Sequence, residues 1–171
     1  ETLQVKDFTD ILETMGDRPV IIRLLDAPLH EFLPRFEDLV IEASELRSSG
    51  HSPEELDKKE TLIGLVEKTR EANPMLGHRG CRMGITFPSI YKMQVKAIIS
   101  ACCDLISRGC FVQPKIMIPL TSHANEMAIL RQRLVAVASD VQLDQGVKVD
   151  YKFGTMIEVP RAALTADEVA T

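Results

Sequence analysis

Short apolar runs rich in β-branched residues, set between segments of helical period, constrain this chain more than any other feature. Residues 20–25 read Val-Ile-Ile-Arg-Leu-Leu and residues 115–120 read Lys-Ile-Met-Ile-Pro-Leu. Both have the length and composition of buried strands in a parallel sheet. A third strand is expected within 149–159, centred on Gly-Thr-Met-Ile-Glu at 154–158. A fourth is expected around 78–82, although three glycines (Gly77, Gly80 and Gly84) weaken any propensity there.

Helical spacing fills the remainder. Val5, Phe8, Ile11, Leu12 and Met15 predict a helix over 5–15, stopped by Gly16 and Pro19. The charged stretch 36–73 predicts two helices divided at 48–53, with Ser52-Pro53-Glu54-Glu55 as the second start and Asn73-Pro74 as its end. Further helices are expected over 89–107, over 125–139 and from 162 to 170, and residues 28–34 read as a loop. Alternation of strands and helices implies parallel strands joined by right-handed crossovers. An open doubly wound sheet and a part of a closed barrel both satisfy that pattern, and no Gly-rich dinucleotide loop follows any strand.

Composition narrows the function classes. The chain has 171 residues, enough for one ordinary domain with a real core, and a net charge of −5. That balance offers no broad attraction for a nucleic-acid backbone or an anionic membrane, so any anion must be held by a few placed cations. No apolar run is long enough to span a bilayer. Cys81, Cys102, Cys103 and Cys110 form no CxxC pair; scattered thiols without metal spacing suggest reduced residues inside a cell.

Chemistry in α/β folds gathers at the carboxyl ends of strands. The expected strands deliver Arg23 and Asp26, then Arg79 or Arg82, then Glu158 to that side. Arginine suits a phosphoryl group because its planar, permanently charged fork donates two parallel hydrogen bonds. A glutamate beside it suits a hard divalent cation. Read alone, Arg23 and Asp26 fit a structural ion pair equally well, and a single carboxylate such as Glu158 more often serves structure than metal. His78, next to Arg79, is a satisfied polar residue or a proton shuttle on the same terms.

Taken together, these segments carry a resemblance. Residues 23–34, Arg-Leu-Leu-Asp-Ala-Pro-Leu-His-Glu-Phe-Leu-Pro, resemble a segment of the pyruvate, phosphate dikinase family in which Ala27 is proline. Residues 73–82, Asn-Pro-Met-Leu-Gly-His-Arg-Gly-Cys-Arg, are similar to a second such segment, and residues 115–120 and 154–164 to two more. The likeness runs in order over nearly the whole chain.

The resemblance implies an α/β fold, namely part of a (β/α)₈ barrel of about four consecutive strand/helix units, cut from the domain that binds pyruvate or phosphoenolpyruvate (PEP). It implies that Arg23 and Arg79 hold a phosphoryl group in transit, that Asp26 orients the arginines, and that Glu158 is one ligand of Mg²⁺. The parent would move a phosphoryl group between a phosphohistidine and pyruvate enolate, converting ATP, pyruvate and phosphate to AMP, PEP and pyrophosphate. Its partners would be the phosphohistidine and ATP-grasp domains of the same polypeptide, in a homodimer. Three family segments, G-L-x-R-T-E, GTND and CGEHGG, are not found in the chain. The isolated piece is therefore expected to be inactive and to bind Mg²⁺ weakly if at all. PEP synthase and Enzyme I of the sugar phosphotransferase system share the barrel and are alternatives, as is a non-catalytic binding or folding unit.

Overall fold

A computed structural model describes residues 2–27, 34–49, 53–69 and 77–170. They divide into two compact units, one of residues 1–26 with 80–171 and the other of residues 27–79.

The first unit opens with α1 (Thr2–Met15), which sets Leu12 in the core and Val5 and Phe8 against it at helical spacing. Gly16, at φ 60°, ends the helix, and β1 (Val20–Arg23) follows. After the second unit come α4 (Cys81–Thr86), α5 (Pro88–Ser107), β2 (Pro114–Ile118), α6 (Ala124–Gln145), β3 (Lys152–Thr155), α7 (Pro160–Leu164) and α8 (Ala166–Val169). The three strands form one parallel sheet in the order β1-β2-β3, with Val20 opposite Pro114 and Lys115 opposite Lys152.

Helix α5 is the spine of this unit. It packs against α1, α4 and α6, and buries residues on nearly every side, among them Val95, Ile98, Ile99, Cys102 and Leu105. Each fully buried aliphatic side chain there contributes about 1.5–3 kcal/mol. Strand β2 alternates: Pro114, Ile116 and Ile118 are buried while Lys115 is exposed. The expectation of a strand enclosed on both faces therefore gives way to one with a single face in the core.

Four further expectations change. The strand expected around 78–82 is absent. Gly80 takes φ 58°, the Cys81 N–H donates to the Pro119 carbonyl at 3.0 Å, and a helix begins at Cys81. Moreover β1 pairs directly with β2, which leaves no place between them for another strand. The described residues thus form three parallel strands rather than four. Helix α6 runs six residues beyond the expected end at 139, because nothing breaks it before Gly146, left-handed at φ 65°. Strand β3 lies earlier than 154–158, so Glu158 stands beyond its end. The terminal helix expected over 162–170 is two short ones, split at Thr165.

The second unit contributes α2 (Phe36–Ser49) and α3 (Pro53–Thr69), packed on each other. Leu39, Ala43 and Val66 are buried. Arg47 reaches Glu60 at 2.6 Å and Lys59 pairs with Glu42. The loop expected over 28–34 (but for Pro34), the cap at Ser52 and the helix end at Asn73-Pro74 lie outside the described residues. No described helix is long and apolar enough to cross a membrane.

Candidate active site

The carboxyl ends of β1, β2 and β3 make one rim, built from backbone hydrogen bonds outward. Past the last register pair, the Leu24 N–H donates to the Met117 carbonyl at 2.9 Å and the Met156 N–H to the Ile118 carbonyl at 3.1 Å. The three chains therefore leave the sheet together. Arg23 is the last residue of β1, and its side chain is half exposed. Asp26 follows with a side chain only 4% exposed, its Oδ2 3.7 Å from Arg23 Nη1. At that distance the two make an ion contact rather than a formed hydrogen bond. The half-exposed guanidinium thus lies beside a buried carboxylate.

Gly80 closes the space behind Asp26. A methyl group built on it would stand 2.9 Å from Leu120 Cβ, 3.0 Å from the Pro119 carbonyl oxygen and 3.1 Å from Asp26 Oδ1. Its φ of 58° already favours glycine. Two independent constraints, conformation and space, thus select glycine here.

Leu120 is the one non-glycine residue of positive φ among those described, at 58°. A left-handed leucine is strained by about 1–2 kcal/mol, and it persists because both its peptide groups are held. Its N–H donates to Glu158 Oε1 at 2.9 Å, and its carbonyl accepts from Cys81 Sγ at 3.1 Å. Glu158 is thereby oriented by the backbone of β2's exit. The Thr155 hydroxyl donates to the Ile118 carbonyl at 2.8 Å and lies 2.7 Å from the Thr121 hydroxyl, latching the exits of β2 and β3. Downstream, Glu126 Oε2 accepts from the N–H and hydroxyl of Ser122 and from the N–H of His123 at 2.8–3.1 Å. With His123 Nδ1 accepting from the Asn125 N–H, this makes a capping box at the start of α6.

Cys81 is enclosed at this rim. Burial pushes its thiol up to about 12, and the negative charge of Glu126 adds to that against the opposing pull of Arg82. It is a protonated donor, not a nucleophile.

Arg23, Asp26 and Glu158 are therefore brought to a common rim, linked through Gly80 and Leu120. Arg79 and His78 are half-buried residues of the other unit, and the Arg79 N–H donates to the Gly77 carbonyl at 3.1 Å. Arg82, the other candidate, lies on α4 beside Cys81. A hard divalent cation takes about six oxygen ligands. Glu158 supplies one carboxylate, and among the described residues no three His, Cys, Asp or Glu side chains gather. These residues do not by themselves make a metal site.

Comparison with known proteins bears on what this rim is for. The family described as PEP-utilising enzyme, PEP-binding domain, matches residues 1–171. The chain belongs to that family. It is 45% identical over 170 residues to pyruvate, phosphate dikinase of Entamoeba histolytica, covering 99% of this chain and 19% of that protein. It is 45% identical over 168 residues to the Giardia intestinalis enzyme of the same name, covering 98% and 18%. The chloroplastic pyruvate, phosphate dikinase of Flaveria pringlei is likewise 45% identical over 168 residues, covering 98% and 17%. The chain spans about a fifth of the length of these relatives.

Several residues that shape this PEP-binding-domain site escape a reading by motif. Tyr91 and Gln94 hold the Leu25 peptide from α5; their spacing of three on one helix face was the available signal. Glu126 stands three residues after the α6 cap, the spacing of a capping box. Nothing in the local sequence announces the left-handed Leu120.

Proposed function

We propose that this chain is the pyruvate- and PEP-binding part of a pyruvate, phosphate dikinase, and that its sheet is a portion of a (β/α)₈ barrel. The observation that carries the reading is the shared rim, where the half-exposed Arg23 guanidinium stands at the exit of β1 and the Glu158 carboxylate, beyond β3, holds the backbone at the exit of the intervening β2. Relatives bearing that enzyme's name align with essentially all of the chain.

In the proposed reaction the phosphoryl group passes from a phosphohistidine nitrogen to the enolate oxygen of pyruvate. The N–P bond breaks, an O–P bond forms, and pyruvate gives up a methyl proton. Fixed positive charge on the equatorial oxygens is what such a transfer needs from the protein. Arg23 supplies it, and the buried Asp26 keeps the guanidinium in place. Arg79 is assigned to the same phosphoryl group by its sequence segment. Glu158 is assigned as one ligand of Mg²⁺, which, where bound, would stabilise the enolate oxygen. The arginine roles stand without it. The phosphohistidine, the ATP-grasp domain and a homodimeric state belong to the proposed whole polypeptide.

The test separates the half-reactions of the whole polypeptide. Arg23→Ala should slow transfer between phosphohistidine and pyruvate by about 100-fold or more, and leave ATP-driven histidine phosphorylation within about twofold. Equal losses in both halves would remove the assignment.

A further inference from the structure

We propose that Tyr91 and Gln94 are positioning residues that act through the Leu25 peptide to hold the Arg23 guanidinium toward a phosphoryl ligand. The inference rests on the reading of Arg23 given above. Leu25 lies beyond β1, one residue past the last sheet bond made by Leu24. Both of its backbone groups are nevertheless taken by side chains of α5. Its N–H donates to Gln94 Oε1 at 2.8 Å, and its carbonyl accepts from the Tyr91 hydroxyl at 3.0 Å. These partners are 69 and 66 residues away in sequence.

The clamp is costly to build, which argues for a purpose. Gln94 is 6% exposed, and it and Thr121 are the buried polar residues among those described. Tyr91 is fully buried, and its ring fits only because Gly84 has no side chain: a Cβ there would be 2.4 Å from the ring. Burial also pushes the phenol above its ordinary value, so the hydroxyl stays a donor. A buried amide and a buried phenol thus converge on the two peptide groups that flank one residue of an irregular segment. Leu25 sits between Arg23, two residues before it, and Asp26, the next residue. Fixing Leu25 fixes the i,i+3 spacing over which Asp26 meets Arg23. A shift of about 1 Å in such a support can cost as much as 100-fold at the chemistry.

The experiment is a double-mutant cycle in the whole polypeptide, read by calorimetric binding of PEP and of pyruvate. Gln94→Met and Tyr91→Phe remove one hydrogen bond each and keep most of the packing. Each should weaken PEP binding by about 3–10-fold, the range of a single buried hydrogen bond, and pyruvate binding by less than about twofold. With Arg23→Ala already present, each further loss should fall below about twofold, because residues acting through one group are not additive. An undiminished loss in the Arg23→Ala background, or an equal loss for pyruvate, would show a role in the fold alone and overturn the proposal. If Arg23→Ala itself leaves PEP binding unchanged, the functional reading fails and the clamp with it. If Arg23→Ala weakens binding while both α5 variants bind normally, only the clamp falls. Should Gln94→Met not fold, Tyr91→Phe, which keeps the ring over Gly84, carries the test.

Discussion

The strand-exit rim and the α2/α3 pair are held by opposite kinds of interaction. At the rim, polar groups are buried or half-buried and each serves a backbone position: Gln94 and Tyr91 on Leu25, Glu158 and Cys81 on Leu120, Glu126 on residues 122 and 123. On α2 and α3 the polar contacts are exposed charge pairs between long side chains, Arg47 with Glu60 and Lys59 with Glu42. A buried hydrogen bond is expensive to lose because its partner is left unsatisfied, whereas an exposed ion pair contributes about 0–1 kcal/mol. The rim is built to hold a few atoms in fixed places. The helix pair needs only to remain associated.

That contrast makes predictions that fall in a clear order. The largest effect is expected at Gly80. Gly80→Ala forces a side chain into a left-handed position against Leu120, Pro119 and Asp26, and should destabilise by more than about 2 kcal/mol in denaturant unfolding. Gly84→Ala drives a methyl group into the Tyr91 ring and should cost about 1–3 kcal/mol by overpacking. Wild-type stability after either change would erase the distinction between the regions.

Alkaline titration sharpens it next. The Cys81 and Cys102 thiols are each raised to about 12 from 9.0, chiefly by burial. In the unfolded chain they ionise near 9, so between about 9 and 12 the unfolded state binds fewer protons than the folded one. Stability is therefore fully present below pH 9 and falls as pH rises toward 12, with a slope of up to about 1.4 kcal/mol per pH unit for each thiol. Cys102→Ala should flatten that slope; an unchanged profile would contradict the burial argument. At pH 8, Cys110, the exposed thiol, should alkylate while the buried Cys81, Cys102 and Cys103 are protected in the native protein.

Smaller effects follow. Glu126→Ala removes the acceptor of three donors at the α6 start and should cost about 1–2 kcal/mol, with Glu126→Gln recovering part of it. Arg47→Ala should change stability by less than about 1 kcal/mol and vanish into error at high salt. A loss at Arg47 as large as at Glu126 would mean the two regions are not held differently after all.

Much of this was legible in the residues. Apolar β-branched runs marked β1 and β2, and Gly16 and Pro19 marked the end of α1, because hydrophobic period and backbone permissiveness act locally. Arg23, Asp26 and Glu158 were legible as candidates because charged residues at the ends of such runs break the apolar pattern. The failures are of another kind. Residues 78–82 have the local pattern of a short strand, yet Gly80 is shaped by contact with Leu120 and Asp26, neither of which is near in sequence. Leu120 takes a left-handed backbone against its own preference because Glu158 and Cys81 hold it from 38 and 39 residues away. Such tertiary constraints leave no local pattern.

The central question is whether Arg23 meets a phosphoryl group. The most direct measurement compares PEP with pyruvate binding to the whole polypeptide, wild type against Arg23→Ala, by titration calorimetry. A preference for PEP that drops by about tenfold or more in the variant, with pyruvate binding nearly unchanged, is the predicted result. A preference for PEP that survives Arg23→Ala intact would contradict it.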